Sequence, residues 1–301
     1  MRSSAPPFSA CSSSVFREPG SGVRYDPRVS GSSPSSARAL ARDLAELKAL
    51  AERQPELATA AELQMSLIET VRRVQGRLTT PWLELSTETL MARLANGQSL
   101  LEFDQILFEW NDVRLLIRQV ADILRRYDAV DADGVIALHN VGRAADLSDR
   151  MRAWFNGTPS PDVEMLDEVL TWAARPYLQR TAEVLQQRVN FESWRRGTCP
   201  ACAAEPDFAV IMATGERLLV CGRCQVRWPF AATDCPYCGN SDRSTITSMA
   251  TADGIYRVAI CNPCGRYIKA LDGRKSPRPL LPYADPIVTL TLDAAVMRRT
   301  R

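Results

Sequence analysis

The sequence predicts an α+β protein in which an N-terminal helical, bundle-like domain is followed by two tandem metal-ribbon β modules. Apolar residues recur with a period near 3.6 between about residues 36 and 190. Four Cys-x-x-Cys pairs then fall within 66 residues, separated by β-branched runs that carry turn signals near their middles. A chain of 301 residues with 46% apolar content is also long enough to bury a proper core, as one large domain or two ordinary ones.

Residues 1–35 are rich in Ser, Pro and Gly and lack an apolar period, so a disordered tail is expected, with Cys11 an inert exposed thiol. The first helical stripe is Leu40, Leu44 and Leu47, limited by Pro55, and the second is Leu63, Leu67, Val71 and Val74, ending near Gly76. The clearest segment takes Asp112 as its N-cap and keeps Val113, Leu116, Ile117, Val120, Ile123 or Leu124, and Tyr127 on one face. Two more stripes straddle Pro176: Val163, Leu166, Val169 and Leu170 before it, Leu178, Ala182, Leu185 and Val189 after it. Proline suits the first turn of a helix, so a new helix is expected to begin there. Six or seven helices result.

After residue 190 the texture changes. The runs DFAVIMATGERLLVC and STITSMATADGIYRVAIC each hold a central Thr-Gly-Glu or Ala-Asp-Gly and read as hairpins. Knuckle, hairpin, knuckle therefore occurs twice. The last pair, in CNPCGRYIKALDG, runs into a strand-like Tyr-Ile-Lys, and LPYADPIVTLTLDAAVMRRTR is expected to pack back on the body as a short terminal element. The expected divisions are a tail at 1–35, a helical domain at 36–190, a first ribbon at 191–232, and a second ribbon with the terminal element at 233–301.

Eight of the nine cysteines form the pairs Cys199/Cys202, Cys221/Cys224, Cys235/Cys238 and Cys261/Cys264, whereas residues 12–198 contain none. A tetrahedral metal centre takes four thiolates at about 2.3 Å, and each Cys-x-x-Cys turn supplies two. The intervals are 18, 10 and 22 residues. The outer two match hairpins that bring one turn over the next, which favours sequential pairing: Cys199, Cys202, Cys221 and Cys224 on one metal, and Cys235, Cys238, Cys261 and Cys264 on a second. Spacing alone leaves an interleaved, cross-braced arrangement open. Thioredoxin-type redox motifs fit worse, because they need a strand–helix setting. The plainest role for such sites is as folding staples.

Charge narrows the classes. Thirty-seven basic and 35 acidic side chains leave a formal charge of +2. In residues 199–301 there are thirteen Arg or Lys and nine Asp or Glu, so eight thiolates with two divalent ions bring the module to neutrality. A ribbon built to grip phosphates carries a positive excess, which argues against nucleic acid as the partner. No stretch approaches the length of a membrane span and no secretory signal is evident, so a reducing, cytoplasmic setting is expected, where paired cysteines hold metal rather than disulfides. No catalytic set is found: the single histidine, His139, has no nucleophile in its neighbourhood and reads as structural, and no enzyme activity is expected. Trp194 and Trp228 read as core or interdomain anchors.

Taken in order, RPYL, WRRGTCPAC, CGRC, CPYCG, CNPCGRYIKALD and ADPIVTLTLDAAV resemble the formate dehydrogenase accessory protein family, FdhE. The resemblance covers residues 36–298 and is most specific in the final third. Ala203 departs from it, standing where a glycine usually follows the first knuckle. The resemblance implies an α+β fold with two tandem rubredoxin-like or zinc-ribbon β modules, and the eight paired cysteines as ligands of two metal ions, iron by resemblance or zinc. It further implies binding to the catalytic subunit of formate dehydrogenase during maturation in the bacterial cytoplasm. In such a role the helical domain would supply a docking face and the ribbons would present loops such as Arg266 to Lys269 to the partner. Other classes are a zinc-ribbon adaptor for nucleic acid or protein, and a rubredoxin-like electron carrier.

Overall fold

A computed structural model describes residues 34–79 and 84–299. Cys11 and nearly all of the expected tail lie outside the described residues, and α1 (Pro34–Arg53) is already under way where the tail was expected to end.

Six further α-helices follow among the described residues of the N-terminal half: α2 (Ala58–Gln75), α3 (Thr87–Ala95), α4 (Trp110–Arg126), α5 (Ala132–Arg143), α6 (Leu147–Phe155) and α7 (Leu166–Arg188). The stripes of α2 and α4 are buried as their periodicity requires, with Leu67, Val71, Val113, Leu116, Ile117 and Val120 at 2% exposure or less. Capping explains several starts: Ser86 accepts from Thr89 N at 3.2 Å, and Asp131 accepts from Gly134 N at 2.8 Å. Asp112 is not the cap of α4. The helix begins at Trp110, and Asp112 sits in its first turn, where it favours the positive helix end and accepts from Arg77 at 3.0 Å.

A second correction concerns Pro176, which lies inside α7 rather than at the start of a new helix. An internal proline costs about 3 kcal/mol by removing one backbone bond and crowding the preceding turn. The compensation is packing, because α7 is buried nearly all round and runs against α2, α4 and α6. Tertiary burial keeps the helix continuous where local preference would break it.

The C-terminal half forms one six-stranded sheet of β1 (Pro206–Ile211), β2 (Arg217–Cys221), β3 (Arg227–Phe230), β4 (Ile246–Ala250), β5 (Tyr256–Cys261) and β6 (Tyr267–Asp272). Its order is β3-β2-β1-β6-β5-β4. Both expected hairpins are present, with Val210 opposite Leu218 in the first and Ser248 opposite Ala259 in the second. Each unit is antiparallel, and the two are joined edge to edge by a parallel pairing of β1 with β6, from Phe208 opposite Lys269 to Ile211 opposite Asp272. The two ribbons thus share one sheet. Pro229 sits in β3, an outer strand, where a missing N–H need not leave a ladder bond unmade.

The C-terminal helices α8 (Asp285–Val288) and α9 (Leu290–Arg299) return to the body. Buried Asp43 of α1 accepts from the amides of Tyr283 and Ala284 at 2.8 and 2.9 Å, and Tyr283 stacks on Trp172 of α7 with ring centroids 6.0 Å apart. One hydrophobic core therefore runs from the helices into the first ribbon without a break.

Candidate metal centres

The four knuckles repeat one backbone geometry. In each, the first cysteine N–H donates to the carbonyl five residues on: Cys199 to Ala204, Cys221 to Val226, Cys235 to Asn240 and Cys261 to Arg266, at 2.8 to 2.9 Å. The residue after the second cysteine returns a bond to the first cysteine's carbonyl and has positive φ: Ala203 at 58°, Gln225 at 62°, Gly239 at 73° and Gly265 at 71°. The left-handed turn aims both sulfurs of a pair to one side. It also explains why glycine is favoured there, and shows that Ala203 adopts the same turn against its steric preference.

The hairpins then superpose the knuckles in sequence. The sulfurs of Cys199, Cys202, Cys221 and Cys224 form one group and those of Cys235, Cys238, Cys261 and Cys264 another, all within 4.8 Å of each other in each group. In the first, Cys199 to Cys224 and Cys202 to Cys221 are 3.5 Å apart; in the second, Cys235 to Cys264 is 3.7 Å and Cys238 to Cys261 is 3.6 Å. Four sulfurs about 2.3 Å from a shared centre are about 3.8 Å apart, whereas a disulfide needs about 2.05 Å. The donor sets therefore fit two tetrathiolate metal ions, and each group could hold one. Burial pushes the Cys199 and Cys224 thiols up, while the hydrogen bond from Cys199 pulls Cys202 down.

The first group is buried and closely hydrogen-bonded by its surroundings. The amides of Arg223 and Cys224 both point at Cys221 Sγ, at 3.4 Å. Trp194 and Trp228 are buried and donate from Nε1 to Thr198 and Arg196, fixing the approach to the first knuckle. Gly197 lies so close to the third knuckle that an added Cβ would meet Pro236 O at 1.8 Å, which accounts for the glycine in WRRGTC. The helical half grips the first knuckle: Leu100 N donates to Pro200 O at 2.9 Å, and Leu101 N to Ala201 O at 2.8 Å.

Between α6, α7 and the first ribbon lies a cleft of about 950 Å³ whose walls include Asp104, Arg152, Asp167, Arg175, Asp207 and Arg223. Arg175 stacks over Trp172 at 4.3 Å and donates to Gly222 O at 2.9 Å. Arg223 lies 3.9 Å over Trp154 and donates to the carbonyls of Trp154 and Phe155. Asp207 opens to the cleft yet is surrounded by protein, and desolvation there pushes its carboxyl up to about 6. Sequence reading did not assemble this cleft. Arg175 of RPYL ties α7 to the second knuckle, and Arg223 of CGRC faces it across the cleft.

Two sequence expectations need revision or detail. Arg266 to Lys269 is not a free loop: Arg266 is bound to Glu205, and Lys269 lies in β6, buried, with Nζ 2.6 Å from Asp293 Oδ2. His139 Nε2 lies 2.9 Å from Asp122 Oδ1 and joins α5 to α4. No helix among the described residues is long and apolar enough to cross a membrane.

No protein-family model matches the chain. In sequence it is similar to the FdhE homolog of Aquifex aeolicus, 30% identical over 134 residues, and to FdhE of Escherichia coli O9:H4, 27% identical over 128 residues. These matches span 42% and 41% of this chain and 47% and 41% of the relatives, less than half of their length. In fold it is similar to the crystal structure of FdhE from Pseudomonas aeruginosa, with a TM-score of 0.62 and 22% identity over 87% of this chain and 92% of that one. The chain is thus similar to FdhE proteins in fold over most of its length and in sequence over 42% of it.

Proposed function

We propose that this protein is an assembly factor, not an enzyme, which binds the catalytic subunit of formate dehydrogenase in the cytoplasm while that subunit matures. The observation that carries the reading is the pair of closed four-sulfur groups on a fold shared with FdhE. Cys199, Cys202, Cys221 and Cys224 would hold one metal ion, and Cys235, Cys238, Cys261 and Cys264 the other. Iron is favoured by the family resemblance, and zinc suits the same thiolates. When bound, the metal supplies folding free energy on the order of 10 kcal/mol per site and fixes the knuckles that surround it.

In this reading the helical part (36–190) and the ribbons (191–232 and 233–301) work as one body, and the partner seats across the cleft between them. Its walls are charged and already held in place by stacked arginines, so little ordering cost is added on binding. A pull-down of the immature catalytic subunit by the purified full chain tests this. Capture is expected with intact protein, and is expected to weaken when Cys221 is replaced by serine. Equal capture by both would count against the role of the metal, and no capture by either would count against the partner.

A further inference from the structure

The two four-cysteine groups have the same knuckle geometry but very different surroundings. Cys199, Cys202, Cys221 and Cys224 are all buried, at 0 to 4% exposure, and belong to the continuous core that links helices and sheet. In the second group Cys238 is exposed and Cys264 is half-buried. The glycines that close those two knuckles, Gly239 and Gly265, have no atom within 4 Å of where a Cβ would stand, so the outer side of the group faces open space. Among the described residues, no backbone bond from the N-terminal half is seen to these knuckles as Leu100 and Leu101 bond to the first; the fourth is held locally, where Thr245 O accepts from Asn262 N at 3.0 Å.

We propose that the sites are unequal in kind: the first is a permanent staple, and the second is an exchange site whose metal and thiolates are open to reagents through Cys238. This rests on the reading that both groups hold metal. A ligand can leave a tetrathiolate only if an incoming donor reaches the metal or a proton reaches a sulfur. At the first group that requires opening the core, whereas at the second it requires motion of one exposed side chain. In the exchange, metal–sulfur bonds are replaced by bonds to an incoming chelator, the metal keeps its oxidation state, and the freed thiolates take protons from water. An alkylating agent such as iodoacetamide then forms an S–C bond with loss of iodide. The second site would thus follow the metal supply around the protein while the fold stays closed.

The test uses the full chain loaded with zinc, mixed with a chromogenic pyridylazo chelator, with a parallel sample treated with iodoacetamide and mapped by mass spectrometry. One equivalent is expected to appear at least about tenfold faster than the second, which is released on the time scale of global opening. Label should reach Cys235, Cys238, Cys261 and Cys264 before Cys199, Cys202, Cys221 and Cys224. Cys238→Ser should remove the fast equivalent and leave the slow one, with helical circular dichroism unchanged. Two equivalents released at one rate, or first label on the Cys199 group, would overturn the inequality while leaving both metal sites standing. No metal even after denaturation would overturn the metal reading itself and the inequality with it.

Discussion

Arg266 donates through both terminal nitrogens to the two carboxylate oxygens of Glu205, at 2.7 and 2.6 Å, and lies 3.7 Å over the ring of Tyr237. Glu205 follows the first knuckle, Tyr237 is inside the third and Arg266 follows the fourth, so one guanidinium ties the two four-cysteine groups together. Arg266 holds the Glu205 carboxyl below its usual range. Because both groups are about half exposed, water screens the pair, and a coupling of about 1 kcal/mol or less is expected for the ion pair.

A double-mutant cycle of Glu205→Gln and Arg266→Gln should return that coupling in urea unfolding. Arg266→Ala should cost more, since it also removes the contact with Tyr237, worth about 0.5–1 kcal/mol. The folded pKa of Glu205 is depressed, so the contribution is present at neutral pH and is lost as pH falls below the usual carboxylate range. Additive single effects would mean the contact does not join the modules.

Two glycine substitutions should act with opposite sign. Ala203 is exposed and adopts a left-handed conformation that costs an L-residue roughly 1–2 kcal/mol, so Ala203→Gly should raise stability, by less than this because glycine loses more chain entropy. Gly197→Ala places a carbon against the Pro236 backbone and should lower stability by roughly 1–3 kcal/mol. Thermal melts of the metal-loaded variants measure both.

Asp43 predicts a pH dependence. Burial pushes its carboxyl up to about 6, although two backbone amides donate to it, and its Oδ2 has no partner. A folded-state pKa above the unfolded value means that the native state binds the extra proton between about pH 4 and 6, so this group lowers stability as pH rises through that window, by up to roughly 3 kcal/mol. Asp43→Asn keeps an oxygen for the Tyr283 and Ala284 amides and should flatten that fall. Denaturant midpoints at pH 4.5 and 7 for both proteins check it.

Much of the candidate site was legible because its signals are local. A Cys-x-x-Cys turn needs only a few residues, and Thr-Gly-Glu and Ala-Asp-Gly mark the hairpins that stack one turn over the next. Ala203 stood out as a departure, and the left-handed turn supplies the reason. What was not legible depends on distant partners. The parallel pairing of Phe208 with Lys269 joins strands separated by two hairpins, and no local pattern announces it. The continuity of α7 through Pro176 depends on helices packed around it, and strand β3 is four residues long with a proline inside. The cleft draws Asp104, Asp167, Asp207 and Arg223 from four separate segments, each resembling an ordinary solvated charge in sequence.

The proposed function has the protein act on formate dehydrogenase after that enzyme's subunits are made. The most direct measurement is formate dehydrogenase activity in a strain lacking this gene, with the catalytic subunit's transcript measured alongside. Lowered activity with the transcript unchanged is expected, restored by the intact gene and not by one carrying Cys199→Ser with Cys221→Ser. Full activity in the null strain, under conditions where formate dehydrogenase is needed, would contradict it.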